Sequence, residues 1–408
     1  MIMEQVLYKL PYGWEWQAIE DVAQIGADRG FVPTPDSEGN VPFIGMTDID
    51  QETGQKSTYE LRKFDDVKKG YTKFQRNAVL FAKITPCTEN NKTALIDNVN
   101  CGFATTEVFP IHALDSVEPK YLLHFFRSPS VRRFLIDQME GATGRQRVPL
   151  KALKNVSVPV CGLREQKRIV EKLDALLTRI DTAIKHLQES VTLADTLMKN
   201  GLSEIFESVK DRYEVVPLSS VVKINSGIAL PKLFKNGFSD GDIPFFKVAQ
   251  MNNHYENMVE PEITFNETVA KEHKIKLFPK GSTLIPKRGG AILTNKKRML
   301  LEDASYDSNI MGLKADESKI SDEYLFAFMR TIDLANFVDA STIPQVNNKH
   351  IDQMQIPLAS IEEQADVVGR VNLLVKKVEL MNSEIQIQLD DLHVLKNSIL
   401  DSAFKGEL

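Results

Sequence analysis

Two segments of this chain carry nearly the same series of residues. Residues 158–173 read VPVCGLREQKRIVEKL, and residues 356–371 read IPLASIEEQADVVGRV, 198 positions further on. Weaker matches lie upstream at slightly different offsets, for example EPKYLLHFFRS (residues 118–128) and SDEYLFAFMRT (residues 321–331). Because this period is far longer than the ~20–50 residues of solenoid repeats, it predicts two duplicated domains in tandem.

Each copy divides into a front part of mixed secondary structure and a back part with the pattern of one long helix. Short β-like runs such as NAVLFAKI (residues 77–84) alternate with turns and amphipathic helical patches, which predicts two similar α/β domains in a chain of the α+β class. The first helix is predicted to begin after an N-cap at Gly162, and the second after a capping box of Ser360 and Glu363. The predicted division is a first domain at residues 1–158, a first helix at 159–210, a second domain at 211–356 and a second helix at 357–408.

Both predicted helices carry apolar residues in alternating steps of three and four, which is typical of a coiled-coil seam. The predicted seam of the first helix comprises Leu173, Leu177, Ile180, Ile184, Leu187, Val191, Ala194, Met198 and Ile205. That of the second comprises Val371, Leu374, Val378, Met381, Ile385, Leu392, Leu395 and Ile399, with an interruption at Gln388. A helix over residues 163–208 is about 65–70 Å long, more than one small domain covers. We therefore predict that the two helices pack as an antiparallel coiled coil between the domains; the alternative is that each stripe covers its own domain.

Motifs of catalysis are missing from the sequence. It has no G-x-x-x-x-G-K-[ST] loop, no G-x-G-x-x-G after a strand, no H-E-x-x-H and no Asn-Pro-Pro-aromatic run. The seven histidines are scattered, and Cys87, Cys101 and Cys161 form no Cys-x-x-Cys pair, which argues against a zinc site or a disulfide framework. No apolar stretch reaches the ~18 residues of a membrane span and no signal peptide is recognisable, so a cytoplasmic protein is expected. We expect a non-catalytic chain with no metal or cofactor of its own.

Polar loops in both front parts carry side chains suited to nucleic acids. A net charge of −6 argues against a protein that coats DNA by charge alone, but local basic faces can still bind phosphates. Lys and Arg contact phosphates, and Asn and Gln can read base edges. The candidate DNA-binding residues of copy one are Lys83, Asn90, Asn91, Lys92, Arg145 and Arg147. Those of copy two are Lys287, Arg288, Lys296, Lys297 and Arg298, on a predicted β-hairpin, with Gln345 and Asn347. An ordinary solvated loop is the alternative for each of them.

A resemblance to a known family rests on several of these segments. LPYGWEW, IEDVAQI, FAKITPCTENNKTALI, GFATTEVFPI and ATGRQRVPLKALKNVSVPV, followed by LREQKRIV and a long helix, resemble the specificity subunit of type I restriction–modification enzymes. The resemblance covers essentially the whole chain and is strongest where VSVPV and MQIPL lead into the Glu-Gln pairs. Copy two departs in its middle, where LIPKRGGAILTNKK keeps only the outline of LFAKITPCTENNKT. Such divergence is expected in that family, since its two target-recognition domains read different DNA sequences.

The resemblance implies that each front domain binds one half of a bipartite DNA site and that the paired helices fix the distance between the halves. A pseudo-twofold symmetric arrangement would match two half-sites along a duplex. The implied partners are double-stranded DNA, two DNA-adenine methyltransferase subunits that hold S-adenosylmethionine, and restriction and translocase subunits that use ATP and Mg. Two other interpretations stay open: a specificity subunit of a related type II bipartite-site methyltransferase–nuclease, and a coiled-coil scaffold that binds proteins.

Overall fold

The computed structural model describes residues 5–54, 59–338 and 343–408 of the chain. The chain forms two compact units, of which unit 1 holds residues 1–188 and 386–408 and unit 2 holds residues 189–385. Each unit therefore contains one front domain together with one end of each long helix. In the described part of the chain, no helix has the length and apolar character needed to cross a membrane.

The front domain of unit 1 is built from two four-stranded sheets and one strand pair, with helices packed on one side. Its strands are β1 (Glu15–Ala18), β2 (Ala23–Ile25), β3 (Asn40–Ile44), β4 (Glu60–Lys63), β5 (Thr72–Gln75), β6 (Ala78–Ala82), β7 (Thr93–Ile96), β8 (Cys101–Ala104), β9 (Val108–Ala113) and β10 (Ser157–Val160). Its helices are α1 (Ile19–Val22), α2 (Phe64–Val67), α3 (Pro119–Arg127), α4 (Pro129–Ile136), α5 (Leu150–Lys154) and the start of α6 (Leu163–Lys210). The sheet orders are β2-β9-β6-β7, β4-β3-β8-β5 and β1-β10. All strand pairs are antiparallel except β3 with β8.

Strand β6 lies between two hydrophobic cores, which explains its apolar sequence AVLFA. All five residues are buried. Val79 and Phe81 belong to the core that includes helix α3, whereas Ala78 and Leu80 belong to the core formed with the other sheet. Successive side chains of a strand point to opposite faces, so a strand covered on both faces has no polar alternation.

The front domain of unit 2 repeats this architecture. Its strands are β11 (Val215–Pro217), β12 (Val222–Ser226), β13 (Phe238–Asp240), β14 (Ile243–Phe246), β15 (Ile263–Phe265), β16 (Thr283–Pro286), β17 (Arg298–Met299), β18 (Ser305–Tyr306), β19 (Ile310–Ala315) and β20 (Gln355–Pro357). Its helices are α7 (Glu267–Glu272), α8 (Asp322–Thr331), α9 (Asn348–Gln353) and the start of α10 (Ile361–Lys405). The sheet orders are β12-β19-β16-β17, β13-β15-β14-β18 and β11-β20. The first and last of these match unit 1. The middle sheet differs because β13 is added at one edge, while no described strand beside β18 corresponds to β5 at the other.

The glutamine of each repeated Glu-Gln pair ties a long helix to its front domain. In α6, the buried Gln166 side chain donates from Nε2 to the carbonyls of Ser116 (3.0 Å) and Cys161 (2.7 Å). Its Oε1 accepts a hydrogen bond from the Glu118 amide at 2.8 Å. All the polar capacity of this amide except one lone pair is thus used to join the start of α6 to the segment that leads into α3.

Gln364 makes the same three hydrogen bonds at the start of α10. Its Nε2 donates to the carbonyls of Lys319 (2.9 Å) and Ala359 (2.8 Å), and its Oε1 accepts from the Ser321 amide at 2.8 Å. The Ser360 hydroxyl accepts from the Glu363 amide at 3.3 Å, which is the first half of the predicted capping box. The repeated sequence is therefore explained mainly by its glutamine, which joins helix and domain, and only secondarily by helix capping.

The long helices pack antiparallel in each unit, as predicted. Residues further along α6 meet residues nearer the start of α10. In unit 1, Arg168 donates to the Leu408 carbonyl at 2.7 Å, and Asp181 accepts from Lys396 Nζ at 2.5 Å. In unit 2, Gly201 lies under the Leu374 side chain, and Arg212 pairs with Glu363. Helix α6 continues through Gly201 to Lys210, and the missing side chain of this glycine makes room for Leu374.

The predicted seam of α6 is confirmed. That of α10 is wrong at two of its interleaved positions, whereas the third, Leu374, is half-buried and packs on the core as predicted. Every predicted α6 position is buried or half-buried. In α10, Met381 and Leu395 are 43% and 46% exposed, while the next residues, Asn382 and Lys396, are half-buried. Likewise the exposed Gln388 precedes Leu389, which is only 9% exposed. The interleaved step in α10 is four residues rather than three, so the interruption at Gln388 arises from the wrong register.

Candidate nucleic-acid interface

In copy one, two polar segments that are far apart in sequence lie side by side. The segment after β6 pairs with residues 145–148, through an antiparallel bridge between Ile84 and Arg147. The Val148 amide donates to the Lys83 carbonyl at 2.7 Å, and the Thr85 amide donates to the Gln146 carbonyl at 3.0 Å. We call residues 83–92 and 145–148 the copy-one loop pair.

Copy two has the same backbone arrangement. The Val346 amide donates to the Lys287 carbonyl at 3.0 Å, and the Gly289 amide donates to the Pro344 carbonyl at 2.9 Å. An antiparallel bridge joins Arg288 to Gln345. We call residues 287–298 and 344–347 the copy-two loop pair; the start of the predicted polar segment DASTIPQVNNK, residues 339–342, lies outside the described residues. The predicted candidates of each copy are therefore brought together by equivalent hydrogen bonds.

The copy-one loop pair exposes part of its predicted set. Asn90 and Arg145 are exposed, and neither side chain has a hydrogen-bond partner within the described ranges. Lys83 is half-buried, with its Nζ 4.8 Å from the centre of the Phe109 ring. These three side chains are placed where a ligand on the surface of the loop pair could reach them.

The other three copy-one candidates are engaged within the protein. Lys92 Nζ donates to the Met46 carbonyl at 2.8 Å. Asn91 has a left-handed backbone with φ of 57°, a conformation that Asn tolerates better than most residues, and its side-chain Oδ1 is buried. Arg147 makes two 2.9 Å hydrogen bonds to Glu107, and this pairing holds the pKa of the Glu107 carboxyl below its usual range. Lys92 and Arg147 thus help to shape the loop pair through their contacts, and Asn91 through its backbone conformation; that these three residues contact DNA stays a prediction.

In the copy-two loop pair, Arg288 and Gln345 lie opposite each other on the bridge. Arg288 is exposed, and its side chain pairs with no group that the structure describes. Lys287 Nζ donates to the Ser226 hydroxyl at 2.9 Å, and burial together with the neighbouring Arg288 charge lowers the pKa of Lys287. Asn347 is the N-cap of α9, where its side chain accepts from the Lys349 amide at 3.1 Å. Asn347 thus has a structural role as a helix cap, and its contact with DNA stays a prediction.

The three basic residues at the end of the predicted hairpin are less exposed than expected. Lys296 is half-buried with its Nζ hydrogen-bonded to Asn252 Oδ1, and Lys297 and Arg298 are each only 6% exposed. Lys297 Nζ donates to Asn295 Oδ1 at 2.7 Å and also to the Ile332 carbonyl. Strands β16 and β17 do form an antiparallel pair with Leu284 opposite Arg298, but a short helical turn from Gly289 to Thr294 joins them instead of a tight turn. The expectation that all three side chains are exposed on this hairpin is therefore corrected, while their contact with DNA stays a prediction.

Two arginines, one buried and one half-buried, went unnoticed in the sequence. Arg127 is 5% exposed at the end of α3, and Arg330 lies at the corresponding place in α8. Both lie at the end of repeated segments, LLHFFRS and LFAFMRT. Aligning the two copies of the repeat would therefore have identified this pair of arginines. Within the described ranges, no group of three or more His, Cys, Asp and Glu side chains is arranged to hold a metal ion.

The family model described as "Type I restriction modification DNA specificity domain" matches the chain twice, at residues 11–193 and 210–390. The two matches coincide with the two copies of the repeat.

Three specificity subunits illustrate the similarity to individual proteins. The type I restriction enzyme EcoAI specificity subunit of Escherichia coli is 32% identical over 208 residues, 50% of this chain and 35% of that protein. The EcoEI specificity subunit of Escherichia coli is 29% identical over 204 residues, 49% of this chain and 34% of that protein. The match thus spans about a third of each of these relatives. A putative specificity subunit of Haemophilus influenzae is 24% identical over 386 residues, 91% of this chain and 89% of that protein.

Two solved structures share the fold. One, described as showing complex assembly and conformational transition of the type I R-M system, superposes with a TM-score of 0.82 at 21% identity over 98% of this chain and 100% of that chain. The HsdS subunit from Thermoanaerobacter tengcongensis superposes with a TM-score of 0.62 at 21% identity over the whole of both chains. The architecture of duplicated α/β domains with two long helices is thus the same in these chains.

Proposed function

The chain belongs to the family of type I restriction modification DNA specificity domains, and on that premise we propose that it supplies the sequence specificity of such an enzyme. Each front domain binds one half of a bipartite site in double-stranded DNA. The chain itself performs no chemistry; it determines where the catalytic subunits act.

The observation that carries this proposal is the equivalence of the two loop pairs. Their backbones make corresponding hydrogen bonds, from Val148 to Lys83 in copy one and from Val346 to Lys287 in copy two, while their exposed side chains differ. A constant backbone with variable side chains is what two readers of different base sequences require. Side chains read bases through their edges and set the protein's position through phosphates.

Within each loop pair we assign roles by chemistry. Asn90 and Gln345 carry amides, which can make two hydrogen bonds to one base edge, and we propose them as readers of bases. Arg145 and Arg288 carry unpaired guanidinium groups, and we propose them as contacts to phosphates. Lys83 and Lys287 lie at the base of the loop pairs and add to the positive charge there.

Partner subunits supply the reaction. We propose that two DNA-adenine methyltransferase subunits holding S-adenosylmethionine, and restriction subunits using ATP and Mg, assemble on this chain. An apolar stripe on the outside of α10 supports such an assembly: Leu373, Leu380, Ile387 and Val394 recur every seven residues and are 55–68% exposed. A regular apolar stripe on a long helix is suited to packing against helices of another subunit. Because the chain has a net charge of −6, partners that enclose the DNA would also supply phosphate contacts.

The test is a map of methylated bases in the source cell with this gene intact and with it deleted. We expect one motif, of two parts separated by a fixed gap, to lose methylation in the deletion strain. A strain carrying the Asn90→Ala variant should keep the gap and one half-site while becoming more permissive in the other. Unchanged methylation of every motif, with the gene shown to be expressed, would refute the proposal.

A further inference from the structure

A cavity of about 320 Å³ opens in unit 2 between the front domain and the two long helices. Its apolar wall includes Met198 and Leu202 of α6 and Val375 of α10. Its polar side carries four cationic side chains: Lys296, Lys297, Arg298 and Arg330. Known ligand pockets hold about 300–1,000 Å³, so this cavity has room for a small molecule with an apolar part and a charged part.

The positive charge of this cavity is not balanced by the protein. Arg330 pairs with Glu256, and Glu379 lies on the same wall. In contrast, Lys296, Lys297 and Arg298 form no ion pair with any carboxylate in the described ranges. Their hydrogen bonds go to neutral amide and carbonyl oxygens. Three cations therefore line one cavity without a direct carboxylate partner, and Glu379 is the carboxylate on its wall that Arg330 leaves without a direct ion pair in the described ranges.

Arg298 is the most exceptional of the three. Its Nη1 donates to the Lys297 carbonyl at 2.6 Å, while its Nε is buried with no acceptor in the part of the chain that the structure describes. A buried guanidinium that leaves a donor unused costs free energy, since the lost contacts with water are not replaced. An anion in the cavity would accept from this donor and compensate the charge.

Electrostatics at the site agree with an anion. Burial lowers the pKa of Lys297 to about 8, although Asp333 nearby partly offsets this effect, and burial also lowers the pKa of Arg298. The surroundings thus disfavour positive charge in the absence of a ligand. The equivalent strand register in copy one places Ala94 opposite Leu80 where copy two places Arg298 opposite Leu284, so the fold does not need a cation there.

We propose that this cavity binds a nucleotide phosphate, with the phosphate held by the guanidinium of Arg298 and the ammonium of Lys296. Phosphate oxygens match the planar donors of arginine, and lysine adds a point charge. Tyr255, which is 59% exposed and stacked on His254 at 4.4 Å, stands at the cavity wall and offers a ring face to a base. The phosphate belongs either to a free nucleotide or to the backbone of bound DNA.

The test is calorimetric titration of the full chain with inorganic phosphate and with adenosine monophosphate at low salt. We expect saturable binding of both, with one equivalent per chain and tighter binding of the nucleotide. Lys296→Ala should weaken binding about 10-fold and Arg298→Gln by at least that factor, as expected for hydrogen bonds to charged groups. Lys235→Ala removes the same charge from an exposed site in unit 2 outside the cavity, and its affinity should equal that of the wild type.

Competition with duplex DNA separates the two sources of phosphate. If a mixed-sequence duplex at saturation prevents nucleotide binding, the site holds a backbone phosphate; if the nucleotide binds equally well in its presence, the site holds a free nucleotide. Because Lys296 is only half-buried, we expect the Lys296→Ala variant to fold. It therefore keeps the assay informative if Arg298→Gln does not fold. The absence of saturable binding of either probe to the wild-type chain overturns the proposal, as does an equal loss in Lys235→Ala and Lys296→Ala. A failure of this proposal is distinguishable from a failure of the proposed DNA recognition, because the direct titrations with phosphate and nucleotide are made without DNA.

Discussion

Two arginines at corresponding positions, Arg127 in copy one and Arg330 in copy two, have different surroundings. In copy one, Arg127 donates to the carbonyls of Gln51, Glu52, Asn91 and Thr93 at 2.8–3.3 Å, so that loops fill the space around it. In copy two, Arg330 pairs with one carboxylate, donates to Asn372 Oδ1 at 3.3 Å and borders the cationic cavity. The helices and central strands are shared, and the difference lies in what covers them. Duplication preserved the framework while the loops around one arginine changed from a packed cluster to a cavity.

The largest expected effect is on the free energy of unfolding, and it differs between substitutions of these two arginines. Arg127→Met leaves four carbonyls without their donor in a buried site, which should lower the free energy of unfolding of unit 1 by about 3–5 kcal/mol. Arg330→Met should cost unit 2 less than half of that, because its partners border a cavity. Urea titration of each variant, followed by a probe in each unit, measures both changes. Equal losses in the two variants would show that the cavity is as tightly packed as the loop cluster.

The glutamines at the helix starts should behave alike in the two copies. Gln166→Ala and Gln364→Ala each remove three hydrogen bonds at a fully buried site, at a cost of about 2–3 kcal/mol in the corresponding unit. The same urea titrations report the change, with Gln386→Ala, an exposed glutamine of α10, as the control. A difference of more than about 1 kcal/mol between the two would mean that the shared framework is not energetically equivalent.

Much of this framework could be predicted from sequence because it follows from repeated local patterns. The repeat predicted two domains, and the helix signals predicted α6 and α10. The prediction of the α10 seam was wrong for a specific reason. After Val378, a step of three residues reaches the apolar Met381, whereas a step of four reaches the polar Asn382, so the sequence favoured the wrong step. Shifting the confirmed α6 seam by the repeat length of 198 residues gives Val375, Asn382, Leu389 and Lys396, which are the residues the structure selects.

The interface was only partly predictable, because the position of a side chain depends on how its loop folds. The polar segments of each copy lie side by side, and their pairing through Val148 and Val346 follows from long-range contacts that no local pattern contains. Lys297 and Arg298 were expected at the surface, since charged side chains are almost never fully buried. Their burial depends on the strand register that places Arg298 opposite Leu284.

Lys297 should make the stability of unit 2 depend on pH in a way that copy one does not share. Its pKa is about 8 in the folded chain and 10.5 in an unfolded one, so between these values the unfolded chain binds more protons. Stability of unit 2 should therefore rise as the pH increases from 8 to 10, by about 1–3 kcal/mol. Lys297→Met should abolish this rise and stabilise unit 2 below pH 8. Thermal unfolding at pH 7 and pH 9.5 measures the effect, and a rise that persists in the variant would assign it to another group.

The two long helices differ at one seam position that should report on their pairing. Asn382 is half-buried with its Oδ1 unpartnered among the described residues, whereas the corresponding residue of α6 is Ile184, which is 8% exposed. Asn382→Ile should stabilise unit 2 by about 1–2 kcal/mol by removing an unsatisfied polar group. Polar residues in a seam also fix register, so the variant should show less specific helix pairing. Measured destabilisation would mean that Asn382 has a partner in the assembled enzyme.

The smallest expected effect concerns the exposed arginines of the loop pairs. Arg145→Ala and Arg288→Ala should each weaken DNA binding by less than about 10-fold at moderate salt, and equally for all sequences, because a phosphate carries no sequence information. Each should also reduce the slope of log affinity against log salt by about one. Arg62→Ala changes a half-buried arginine of β4 that pairs with Glu60 and lies outside the loop pairs; it is the control and should leave the slope unchanged. A loss confined to one half-site sequence would instead make that arginine a reader of bases, and a different outcome for Arg145 and Arg288 would show that the two loop pairs meet DNA in different ways.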